Sequence, residues 1–237
     1  MKNIFFVLLL ICFVGWSCNP RYYVPNTQNV PLIDSKGQIS LSLAGNGNQV
    51  EIQGAYGLSS NCAAQVNMAF YIPKDLDNGD GGSGKLFELG LGYYRPVGNS
   101  FLFETYALFG IGTMENHFPS THMSNPNTSA TLSSNLFRSS LQPVLGFKKK
   151  YYSVAVSSRF SSLNYANYKG SLIYDNEDQE KYLKAHRFNF LVEPALTIRL
   201  GAKNLKFQIQ VMKSLNLSDN KFKQDDGLIS FGVNYKF

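Results

Sequence analysis

Cysteine is scarce in this sequence: three in 237 residues, at Cys12, Cys18 and Cys62. That excludes a disulfide framework and a cysteine-based metal site. Histidine is equally rare, at three. Long apolar runs are missing as well, since the stretch from Ile4 to Val14 falls short of the roughly 20 residues that a membrane-crossing helix needs. Lys and Arg (22) only modestly outnumber Asp and Glu (16) and form no stripe of the kind nucleic acid requires, so no nucleic-acid partner is expected. Nothing in the composition divides the chain, and its length suits one folded domain.

What is present begins at the amino terminus. Met1, Lys2 and Asn3 precede the apolar run, the order of a signal peptide, assigned to residues 1–17. Gly15, Trp16, Ser17 and Cys18 resemble a bacterial lipobox, which implies cleavage before Cys18 and an acyl lipid on its sulfur. Ordinary signal-peptidase cleavage is the alternative. An acyl chain contributes about 0.8 kcal/mol per buried methylene, enough to tether a leader over residues 18–36 to a membrane. Cys62 is then left without an intrachain partner.

Over residues 37–237 apolar residues recur at every second position, the period of a strand. In "LFELGLGYY", residues 86–94, Phe87, Leu89, Leu91 and Tyr93 share one face, and Glu88, Gly90, Gly92 and Tyr94 the other. Continued along the chain, this predicts ten strands: 38–45, 48–57, 62–72, 84–95, 100–114, 132–147, 150–162, 185–200, 203–214 and 227–237. The connections at 58–61, 96–99, 148–149 and 201–202 are tight, whereas 73–83, 115–131, 163–184 and 215–226 are long and polar. Short and long connections in alternation predict an antiparallel up-and-down transmembrane β-barrel of the outer-membrane kind. An even strand number then places both termini, and the lipidated leader, on the short-turn periplasmic side.

A soluble barrel or sandwich is the rival. Against it stand strands longer than soluble proteins favour and charge on the faces opposite the apolar ones. Glu51, Glu88, Glu104 and Glu193 take inward positions with Arg138, Arg159, Arg187 and Arg199, joined by Lys206, Lys236, Gln53, Gln65, Gln142, Gln208 and Gln210. A polar interior is what a membrane barrel has. These groups predict a filled lumen of mutually paired charges, with a conducting or ligand-binding lumen as the alternative. Pro143 and Pro194 predict bulges or displaced strand ends.

The chain closes on "LISFGVNYKF", with Phe231, Val233, Tyr235 and Phe237 on one face. This resembles the C-terminal signal that outer-membrane barrels present to the barrel assembly machinery. Lipobox, "NPRYYVPNTQNVPL" leader and ten-stranded meander together resemble the small outer-membrane β-barrel lipoproteins of Bacteroidota. In that group an acidic cluster after the acylated cysteine tends to mark surface export. None follows Cys18, so the resemblance implies a lipid held in the periplasmic leaflet of the outer membrane. A filled barrel has no obvious cargo, so a structural or accessory subunit among other outer-membrane barrels or lipoproteins is expected, and the resemblance makes the barrel assembly machinery a candidate host. Ser139 and Pro143, outward on the sixth strand, are candidate contacts.

Chemistry of other kinds is thinly marked. Ser157 and Ser158 have no positioned base, because His117 and His122 fall in a loop and His186 at a strand start, so no enzyme is expected. "DLDNGDGG", residues 75–82, misses a calcium loop, with Gly79 and Leu86 where ligands belong. Met114, His117, His122 and Met123 share a loop without fixed geometry. No metal and no cofactor beyond the acyl lipid is expected. A small-ligand or lipid transport barrel, and a standalone barrel for envelope integrity or adhesion, are the alternative functions.

Overall fold

A computed structural model describes residues 19–72 and 78–237. The signal segment, Cys18, Asp75 and Asp77 lie outside the described residues. Ten long strands follow one another: β1 Ile39–Gly45, β2 Gln49–Gly57, β3 Cys62–Tyr71, β4 Gly81–Val97, β5 Phe101–His117, β6 Thr131–Lys148, β7 Tyr152–Ser171, β8 Phe188–Gly201, β9 Leu205–Lys213 and β10 Gly227–Lys236. Each pairs antiparallel with the next, and β10 returns to β1, with Ser40 opposite Lys236 and Gly45 opposite Phe231. The result is the closed all-β barrel that the alternation predicts. Connections 58–61, 98–100, 149–151 and 202–204 gather at one end, while the long ones lie at the other.

Several strand ends differ from the sequence reading. β7 continues to Ser171 because Leu163 and Tyr165 keep alternating inward and are fully buried, a signal masked by the Ser, Asn and Tyr around them. β8 begins only at Phe188, since Gln179–Ala185 forms a short helix, α1, whose first amides, Glu180 and Lys181, donate to the Asp178 side chain at 3.1 Å. The expected bulges at the prolines are absent: Pro143 faces Thr105 and Pro194 faces Ser158 in unbroken register. The β6–β7 ladder shifts instead between Ser133 and Asn135.

The wall is apolar outside and polar inside. Phe109 and Phe207 are about 70% exposed (69% and 70%), while Glu51, Glu88, Glu104 and Glu193 are wholly buried. Water would reverse that arrangement, because a belt of exposed large apolar side chains around a full circumference is stable only against another apolar medium. The barrel is of the outer-membrane type. Leu89 lies midway along β4 and 54% exposed on this belt. Leu89→Lys is expected to lower stability in lipid vesicles by about 2–4 kcal/mol, read from urea unfolding; an unchanged midpoint would place Leu89 outside the hydrocarbon.

The leader overturns the expected layout. Residues 19–36 do not hang from the short-turn end but run inside the barrel from one mouth to the other. At the long-loop end the Tyr22 amide donates to the Lys223 carbonyl (2.9 Å), and Tyr23 bridges Gln224 in parallel. At the short-turn end Lys236 Nζ donates to the Leu32 carbonyl (2.9 Å), Asp34 pairs with Lys148, and the Gly37 amide reaches the Gly57 carbonyl. Twelve extended residues between Tyr22 and Ile33 span roughly 35 Å. Asn19 therefore sits beside the long loops, at the opposite end from β1.

Candidate functional site: a threaded lumen and its two mouths

An extended strand inside a barrel has no sheet neighbour, so its amides and carbonyls need partners from the wall. The inward acids and amides supply them. Glu51 Oε1 accepts from the Thr27 amide and hydroxyl, both at 2.9 Å, and from Gln49 Nε2 at 2.6 Å. Glu104 takes the Ile33 amide (2.7 Å) on one oxygen and the Leu32 amide (3.0 Å) on the other. Leu32 reaches this geometry at φ 51°, a left-handed conformation that turns both consecutive amides toward one carboxylate. Gln210 accepts from the Gln28 amide (2.7 Å) and donates to its carbonyl (3.0 Å), as a neighbouring strand would.

Two buried ion pairs hold the middle. Arg138 grips Glu88 with Nε (2.8 Å) and Nη2 (2.7 Å), and Arg159 Nε meets Glu193 at 2.7 Å. Both arginines also bind the leader: Arg138 donates to the Tyr23 hydroxyl (2.8 Å) and Asn26 Oδ1 (2.7 Å), Arg159 to the Asn26 carbonyl (3.0 Å). Tyr23 in turn donates to Glu193 at 2.8 Å. The charges pair as the sequence suggests, but around a guest strand. Arg199, by contrast, makes one bond, to Gln208 (2.7 Å), and Arg187 leaves the lumen altogether, lying exposed with its guanidinium 4.7 Å from the Phe188 ring. Position 187 precedes β8, so no wall alternation turns it inward.

Packing follows the same path. Leu32 and Val30 join Leu102, Val144 and Ala155 in one cluster, and Ile33 joins Tyr94, Tyr106 and Leu108 in another. Gly146 is bare beneath Leu32, and a Cβ there would overlap its Cδ2. Gly146→Val is expected to lower the urea midpoint by the equivalent of about 1–3 kcal/mol. Adding Leu32→Ala should restore most of it; failure to do so would mean that the two side chains do not share this space.

The long-loop mouth is closed by Tyr22, Phe118, Tyr165, Leu183 and Phe222, which pack as one cluster. Lys223 Nζ lies 2.7 Å from Glu177 Oε2, a bond that holds this carboxyl below its usual range. His186 Nδ1 lies 2.5 Å from Asp219 and its ring 4.4 Å from that of Tyr182. The loop group seen in the sequence disperses: Met114 is buried, His117 binds the Thr131 hydroxyl (2.7 Å), and Met123 is almost fully exposed. Phe231, Tyr235 and Phe237 stand on the outer face of β10 and beyond it, and Val233 between them opposes Leu43.

The sequence reading missed Tyr22, Tyr23, Asn26, Thr27, Gln28 and Asn29 as lumen residues. A usable signal was there, because the leader carries no charge from Tyr22 to Ile33 while the wall offers four inward carboxylates. No family model matches this chain, and no curated protein does. Among solved structures it is similar to the outer membrane protease OmpT from Escherichia coli, at 9% identity and a TM-score of 0.42, covering 84% of this chain and 93% of that one. The expectation that the chain is no enzyme is corrected by this finding, since the solved structure it is similar to is a protease.

Proposed function

We propose that this chain is an outer-membrane lipoprotein barrel, sealed by its own leader, that serves as a structural subunit of a larger outer-membrane assembly. The occupied lumen carries the reading. With the bore filled from Tyr22 to Ile33, the surfaces left for work are the lipid-facing wall, the long loops and the two mouths. The resemblance to Bacteroidota barrel lipoproteins supports the same view and makes the barrel assembly machinery the first host to test.

Acylation of Cys18 belongs to this proposal, on the opposite side from the one first expected. Cys18 adjoins Asn19, whose side chain accepts from the Tyr174 hydroxyl (2.9 Å) among the long loops. Long loops face outward in barrels of this type, so the lipid enters the outer leaflet. An epitope inserted after Asn19 should be labelled on intact cells; labelling only after permeabilisation would overturn this orientation. Tagged protein taken from membranes in mild detergent should co-purify with a partner at near-equal amount, and recovery alone as a folded monomer would overturn the subunit role.

A further inference from the structure

The short-turn mouth holds a cavity of about 690 Å³ whose lining is strongly cationic. Lys148, Lys149, Lys150, Lys203, Lys206 and Lys236 surround it, against Asp34 and the terminal Phe237. Few of these cations are neutralised within the protein. Among the described residues Lys148 takes Asp34, but Lys149 finds the Ser100 hydroxyl (2.6 Å) and the face of Phe147, Lys206 the Lys149 carbonyl (3.1 Å) and Lys236 the Leu32 carbonyl. Lys150 and Lys203 project from the turns, Lys150 lying over the Tyr151 ring.

A second, independent feature lies deeper. Arg199 is 1% exposed, and its Nη1 and Nη2 have no hydrogen-bond partner among the described residues. It stands one inward position beyond Lys206 across the β8–β9 ladder, its charge bearing on both Lys206 and Lys236, and the nearby anion, Glu104, has both oxygens taken by the Leu32 and Ile33 amides. A buried guanidinium with two unused edges is expensive unless an anion meets it or its neighbours. The strand ends around it carry exposed Phe101, Tyr151, Tyr152 and Tyr235, with Phe147 against Phe101, the aromatic girdle that marks the headgroup level.

We propose that this mouth is a binding site for a phosphate group, with lysines as point charges and the Ser100 and Asn204 side chains as neutral partners. The phosphate can come from the headgroup of an anionic phospholipid in the short-turn leaflet or from a soluble phosphate compound. The site is independent of the subunit role and rests only on the barrel.

The test uses the full chain extracted in detergent. Native mass spectrometry reads retained phospholipid, and binding is then titrated with inorganic phosphate and with nanodiscs of phosphatidylglycerol against phosphatidylcholine. Retention of phosphatidylglycerol without a response to inorganic phosphate identifies the headgroup; saturable binding of inorganic phosphate identifies the soluble source. In either case K150Q/K203Q/K206Q is expected to weaken binding about tenfold or more, at an unchanged melting temperature. Should the triple variant fold poorly, K150Q/K203Q, confined to exposed turns, reads the same loss in smaller degree. No binding of either probe, or binding untouched by the substitutions, overturns the site.

Discussion

Excising residues 22–33 is expected to convert a silent barrel into an ion-conducting one. In planar bilayers the intact protein should show no unitary steps, because the leader fills the bore along its length and its side chains close against Leu102, Tyr94, Tyr106 and the aromatic cap. Without it, Glu51 and Glu104 lose their amide donors, and the lumen presents charged and amide groups to a vacated column. Such groups admit water rather than remain unsatisfied. Discrete conductance steps, suppressed by a synthetic 19–36 peptide, would confirm the leader as the seal. A deletion variant that folds and stays silent would mean that the wall refills the lumen by itself.

Arg138→Ala should be among the most damaging single substitutions. Glu88 would be left fully buried without its guanidinium partner, a change that typically costs about 3–5 kcal/mol. Tyr23 and Asn26 would lose their guanidinium donors at the same moment. The double variant Glu88→Leu, Arg138→Leu removes the stranded charge and should recover part of the loss, but not the share that belongs to the leader. Urea unfolding in detergent micelles separates the two. A single variant within about 1 kcal/mol of the native protein would show that Glu88 has another counter-charge.

The strand count, the inward faces and the closed meander were legible because two-residue periodicity survives in nearly every strand, from Leu41 and Leu43 to Ile229 and Phe231. Composition blurred the ends of β7, where Ser161, Ser162 and Asn164 interrupt the apolar face. The pairing of Glu88 with Arg138 and of Glu193 with Arg159 could be expected as charge balance, but partner choice depends on register, and that comes only with the ladder. The leader escaped for a different reason. Its residues have no period, since an extended strand surrounded on all sides has no wet face to alternate with. An uncharged stretch with two prolines, Pro25 and Pro31, reads equally well as a solvated linker. Arg187 was assigned inward by extending an alternation past the true start of β8.

The threaded leader also ties together strands that are not neighbours in the sheet. Its partners come from almost the whole ring: Glu51 on β2, Glu104 on β5, Arg138 on β6, Arg159 on β7, Glu193 on β8 and Gln210 on β9. One segment thereby joins strands on both sides of the β1–β10 seam, which is itself only six residue pairs long. In this protein the amino terminus is less a plug than a hub, reached by spokes from nearly every strand of the ring.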